Sequence, residues 1–162
     1  MKKRIVVTGL GVVSSIGIGH EEFWKNLLAG KSGISKVEYF DTSKCSTHYG
    51  GEVKFFDPGK YMSSGRSGFM GRTSQLAVVA AQLAVEDAHL NIKNSDNATM
   101  GICLGTTTGE AQELEGIDEV WALQGEDKVD IKPIRQYSFD NIPSNLADTF
   151  RIQGPIRIFT TA

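Results

Sequence analysis

No segment of this sequence approaches the ~18 apolar residues that a membrane-spanning helix needs. The opening Met1-Lys2-Lys3-Arg4 before Ile5-Val6-Val7 imitates a secretory leader. Gly9, Gly11, Gly17 and Gly19 interrupt its apolar stretch, however, and His20-Glu21-Glu22 makes a poor cleavage site. Cysteine is scarce: Cys45 and Cys103 lie far apart at no metal-ligand spacing, so they read as two reduced thiols. Neither sign of charge dominates, with a net charge of -2 over 162 residues, so nucleic acid is not an expected partner and there is no acidic tail. Repeats and low-complexity tracts are absent. These absences point to a cytoplasmic, globular chain with 40% hydrophobic residues, large enough for one core.

Strands and helices alternate along the chain. Arg4 to Thr8 is a short β-branched run of the kind buried on both faces of a sheet. Phe23, Trp24, Leu27 and Leu28 recur at helical spacing before a capping Gly30. Residues 31–59 read as short irregular strands, and 62–71 as an exposed loop or helix start. The longest helix runs from Thr73 to His89, with an apolar stripe of Leu76, Val79, Ala80, Leu83, Ala84 and Ala88. A second buried strand, Met100 to Leu104, carries Cys103 as an inert core thiol. A helix from Glu110 to Leu123 follows, its early acids suiting a positive helix start. Pro133 and Pro143 bracket a loop, Ser144 caps a turn or helix through Phe150, and Ile156 to Thr160 is the last strand, again buried. Alternation of buried strands with helices implies a layered α/β architecture.

Obvious chemistry is missing. His20 and His48 stand in polar stretches and His89 closes a helix, so all three read as surface residues. Glu110, Glu113, Glu115, Asp118 and Glu119 read as a solvated helix face, and no triad, acid–base pair or metal site can be assembled. Val7-Thr8-Gly9-Leu10-Gly11 after a strand invites a nucleotide-binding reading. The third small residue is Ser14, no helix opens until Glu21, and the terminal acid of a second strand is missing. Gly105 to Gly109 lacks the Gly-Lys-Ser/Thr ending of a phosphate-binding loop, and a tight strand-end turn accounts for it. A nucleotide-binding α/β domain therefore remains a remote alternative, and no cofactor is expected.

Several motifs, in order and at matching intervals, carry a resemblance. Arg4 through Gly17 and Phe23 through Ile34 are similar to the amino-terminal signature of the β-ketoacyl-acyl carrier protein synthases. So are Phe40-Asp41, the alanine-rich helix near Arg72, Gly105 to Gly109, Gly154-Pro155 and Thr160-Thr161-Ala162. The resemblance spans residues 1–162 and extends to the type II polyketide relatives of that family. It implies an incomplete amino-terminal half of a thiolase-like layered fold, a mixed sheet with packed helices, and a homodimer or a ketosynthase/chain-length-factor heterodimer.

The activity it implies is decarboxylative condensation: an acyl group moves from carrier protein to a cysteine, malonyl carrier protein loses CO2, and the carbanion attacks the thioester. In the family that cysteine follows the Thr-Ala pair at a helix start, where N–H groups and the helix dipole favour thiolate and oxyanion. The nucleophile would thus follow Ala162, the catalytic histidines would lie further on, and the chain alone would be inactive and poorly stable without the carboxy-terminal remainder. A non-catalytic chain-length factor, with another residue after Ala162, is the runner-up.

For this stretch the resemblance implies a share of the acyl pocket. Thr108 takes the place of the residue that gates the acyl tunnel, commonly a larger apolar one, and Ala162 adjoins the nucleophile. Pro133 and Ile134 match a region that reaches the dimer mate's pocket. The family's basic cluster for the acidic acyl carrier protein is thinned to Arg66, Arg72 and Lys128, with Gly65, Ser67, Gly68, Phe69 and Asp127 between or beside them. Plain turn and packing roles stand as the alternative for Thr108, Pro133 and Ile134.

Overall fold

A computed structural model describes residues 3–92, 96, 98–130 and 137–160 of the chain. The chain divides into two compact units: residues 1–57 with 79–90, and residues 58–78 with 91–162. One helix contributes to both, its first residues to the second unit and the remainder to the first.

In the first unit, residues 3–12 lie outside any helix or strand and lead into a tight hairpin, β1 (Val13–Ser14) against β2 (Gly17–Ile18). Ser14 Oγ donates to the Gly17 carbonyl at 3.0 Å and so closes the turn. Helix α1 (His20–Leu28) follows and packs on β2, where Asn26 Nδ2 donates to the Ile16 carbonyl. Its end is a Schellman motif with Gly30 at φ 64°: Lys31 N–H reaches the Asn26 carbonyl and Gly30 N–H the Leu27 carbonyl. Gly30 meets its expected role, since only glycine adopts that left-handed conformation without cost. A second antiparallel pair, β3 (Ser35–Lys36) and β4 (Tyr49–Gly50), supplies the short strands anticipated for 31–59.

The glycine pair at Gly9 and Gly11 has a packing explanation. Both lie against the later turns of α3 (Arg72–Asp87), where a Cβ on Gly9 would fall on the Ala84 carbonyl and one on Gly11 on the Ala80 carbonyl. The alanine stripe thus lets backbone approach backbone, and Asp87 Oδ2 accepts the Leu10 N–H at 2.7 Å. The turn is occupied by protein, which removes the main support for a nucleotide-binding reading.

The second unit holds most of the buried apolar side chains: Met70, Val78, Ile117, Ile142, Leu146 and Phe150. After a 3-10 turn at Pro58–Lys60 come α2 (Ser64–Ser67) and the start of α3. Strand β5 (Ile102–Gly105) runs parallel to β6 (Ile156–Phe159), with Cys103 opposite Arg157. Between them lie α4 (Ala111–Gln124) and α5 (Asn141–Phe150), the latter packing on both strands.

Several expectations need correction. Arg4 to Thr8 forms no described ladder, and Ile5 and Val7 are 96% and 81% exposed. Burial on both faces requires neighbouring strands and covering layers, and no described strand of this chain pairs with that run. For the same reason β5 and β6 are half-buried or exposed along their length, and Cys103 is an exposed thiol instead of a core one. The α1 stripe is helical but unburied, with Trp24 and Leu28 at 58% and 70% exposure. Helix α5 starts three residues before Ser144. Pro143 lies inside its first turn, where the missing N–H costs nothing, and is buried.

Candidate functional site

The turn that carries Thr108 joins β5 to α4, and three sets of hydrogen bonds fix its backbone. On the strand side, Thr106 N–H donates to the Phe159 carbonyl at 2.9 Å, so the end of β6 lies beside this turn. Within the turn, Gly109 N–H donates to Thr106 Oγ1 at 3.1 Å, and Gly109 takes φ 60°. On the helix side, Thr73 Oγ1 donates to the Gly109 carbonyl at 2.8 Å. Thr108 itself is exposed, whereas Gly109 and Glu110 are buried.

Glu110 is the residue that sequence reasoning misplaced. Expected on a solvated face, it is 2% exposed. Its backbone begins α4, but its side chain makes no cap there. The carboxylate instead reaches the start of α3, where the N–H groups of Thr73 and Ser74 donate to Oε2 and Oε1 at 2.8 and 2.7 Å. The first N–H groups of a helix have no partner within it, and its dipole favours negative charge at that end. The arrangement therefore satisfies a buried carboxylate and two helix-start donors together. Gly71 makes room for it: a Cβ there would lie 2.5 Å from Glu110 Cδ. Asn145 Nδ2 of α5 donates to Ser74 Oγ at 3.0 Å, which ties a third helix to the cluster. Other acids of the group do behave as expected, with Glu115, Asp118 and Glu119 exposed. No signal in the neighbouring sequence marks Glu110 as buried, because its partners are supplied by a segment 36 and 37 positions away.

The remaining candidates are scattered. Arg66 is exposed in α2, Arg72 is half-buried as the first residue of α3, and Lys128 is exposed in a 3-10 turn at Glu126–Lys128, beside two acids. Pro133, Ile134 and Ala162 lie outside the described residues. In the first unit, an open cleft of about 490 Å³ is lined by residues including Asp41, Thr42 and His48. Its polar groups serve one another: Asp41 accepts from Ser43, and His48 Nδ1 sits 3.1 Å from Thr42 Oγ1. Among the described residues no cluster of His, Cys, Asp or Glu is suited to a metal ion.

The family model for the β-ketoacyl synthase N-terminal domain matches residues 2–162. The chain belongs to the β-ketoacyl synthase family. It is 34% identical over 161 residues to the 3-oxoacyl-[acyl-carrier-protein] synthase 2 of Vibrio cholerae serotype O1, which covers 99% of this chain and 39% of that protein. Among solved structures, the ishigamide ketosynthase/chain length factor superposes with a TM-score of 0.90 at 33% identity, over 96% of this chain and 39% of the other. A type II polyketide synthase acyl carrier protein in complex with its ketosynthase bound to the hexaketide gives a TM-score of 0.78 at 19% identity, over 99% of this chain and 43% of the other, and supports the fold. The chain thus spans about 39% of the length of the curated relative. The thiolase-like layered reading, a partial α/β fold with mixed strands and packed helices, agrees with these neighbours.

Proposed function

We propose that the chain forms the amino-terminal portion of a 3-oxoacyl-acyl carrier protein synthase that extends an acyl thioester by decarboxylative condensation. The supporting observation is geometric. The strand leading to the Thr161-Ala162 pair pairs with β5, and its Phe159 carbonyl holds the turn that carries Thr108. In this reading Thr108 lines the acyl tunnel beside a thiol supplied by the residue after Ala162, and Pro133 and Ile134 extend to a dimer mate. Malonyl carrier protein releases CO2, the carbanion forms the new carbon–carbon bond at the acyl carbonyl, and the cysteine thiolate leaves. Acyl carrier protein docks near Arg66, Arg72 and Lys128. The setting is cytoplasmic and the assembly a dimer.

The test uses the full-length protein with acyl and malonyl carrier proteins. Expected results are an acyl adduct by intact mass, CO2 release and a 3-oxoacyl product. Absence of any adduct with every primer offered, together with a residue other than cysteine after Ala162, would favour the chain-length-factor reading. That reading draws support from the neighbour whose structure contains a chain length factor.

A further inference from the structure

A pocket wall selects among ligands only if its backbone holds still, and Thr108 is an exposed side chain on a backbone clamped from both sides. The clamp on the helix side converges on one carboxylate. Glu110 follows Thr108 by two residues, is 2% exposed, and binds two N–H groups that are 36 or more positions away in the chain. Nothing in the condensation itself uses this group: it is buried and both oxygens already accept hydrogen bonds from α3. The same helix turn reaches the preceding residue through Thr73 Oγ1 and the Gly109 carbonyl. Ser74, whose N–H binds Glu110, also accepts from Asn145 of α5. Any displacement of the turn therefore breaks bonds to α3, and any displacement of the α3 start moves the turn.

We propose that Glu110 is a positioning residue that latches the Thr108 turn to the start of α3 and thereby sets which acyl chain lengths the enzyme accepts. The proposal rests on the assignment of Thr108 to the acyl tunnel. A wall displaced by about 1 Å changes rates by as much as about a hundredfold for a ligand that touches it and far less for one that does not. Loss of the latch should accordingly change long and short primers unequally.

The experiment compares full-length wild type with Glu110→Gln, Glu110→Ala and Thr73→Val across a series of acyl carrier proteins from short to long chain. Each kcat/KM is referred to titrated active sites, and hydrogen exchange is followed at Thr106 to Glu110. Glu110→Ala should change the long-to-short ratio of kcat/KM by about tenfold or more and raise exchange in the turn. Glu110→Gln, which keeps one acceptor oxygen, should restore part of both. Thr73→Val, which loses only the hydroxyl bond to Gly109, should shift the ratio less and in the same direction. A purely structural role would lower the active fraction and leave the ratio constant. An unchanged ratio in soluble Glu110→Gln and Thr73→Val, with wild type active, would overturn the latch, and these two decide the matter should Glu110→Ala not fold. Wild type inactive with every primer would overturn the functional reading and the chain-length role with it. Exchange at the turn would then still decide whether Glu110 holds it.

Discussion

Gly71 and Glu110 compete for the same volume, and a double-mutant cycle measures that competition. In Gly71→Ala the new Cβ would sit 2.5 Å from Glu110 Cδ and Oε2 and 3.0 Å from Oε1, so the carboxylate must withdraw. Such a move is cheap for a solvated tip, but this one is 2% exposed and holds the N–H groups of Thr73 and Ser74. Each hydrogen bond to a charged group contributes about 1.5–3 kcal/mol. Losing both costs about 3–6 kcal/mol on that scale, from which partial retention of one bond and the ~0.4–1 kcal/mol gained by stiffening the unfolded chain must be subtracted. Gly71 is not among the glycines with positive φ, so alanine adds no backbone strain. A net loss of about 2–4 kcal/mol is expected for Gly71→Ala, with a similar or larger one for Glu110→Ala. The double variant should be no worse than Glu110→Ala, because the methyl enters space the carboxylate has vacated. Urea unfolding of the four proteins should thus show a coupling energy of at least about 1.5 kcal/mol, within the range for residues in contact. Additive losses within about 0.5 kcal/mol would refute the claim that both residues act on one shared volume.

Other consequences can be checked separately. Gly11→Ala should destabilise the first unit by about 3 kcal/mol or more, since its Cβ would meet the backbone of α3 at Ala80 and Ala84, which cannot rotate aside. A urea midpoint equal to wild type would contradict that close approach. Asp41 is held below its ordinary value of 3.8, first by the Ser43 N–H and then by the Ser43 hydroxyl, against a small opposing effect of desolvation. A lowered folded-state value means a stabilising contribution present above pH 3.8 and lost as pH falls through that lower value. Carboxyl carbon shifts should show the low midpoint in wild type and a rise toward 3.8 in Ser43→Ala. If acyl carrier protein docks through Arg66, Arg72 and Lys128, neutralising all three should flatten the salt dependence of its association rate. A steep dependence surviving the triple change would move docking elsewhere.

Local signals survive folding because their causes are local. The Gly30 cap follows from the left-handed turn that ends α1, and the alanine stripe of α3 follows from the 3.6-residue period that places Ala80, Ala84 and Ala88 on one face. The family was legible in another way, through the resemblance of motifs such as Arg4 to Gly17 and Gly105 to Gly109 to its amino-terminal signature. Boundaries moved where a proline was read as a loop marker: Pro143 sits in the first turn of α5, a position that tolerates its missing N–H.

Hydrophobicity identified which runs favour burial, but burial depends on what covers them. Ile5, Val7 and Cys103 are exposed because a strand is enclosed only by neighbours drawn from elsewhere in a fold, and the strand itself cannot specify their presence. Glu110 shows the converse. Nothing adjacent to it distinguishes it from the solvated Glu115 and Glu119, and what buries it is the helix start some three dozen residues away, where two N–H groups lack partners. Sequence by itself determined the helices and the turns that end them, since period and turn chemistry act over a few residues, and its motifs carried the resemblance to the family. Tertiary structure alone decided which carboxylate is buried and which glycine must stay bare, because both depend on donors and volume that distant segments supply.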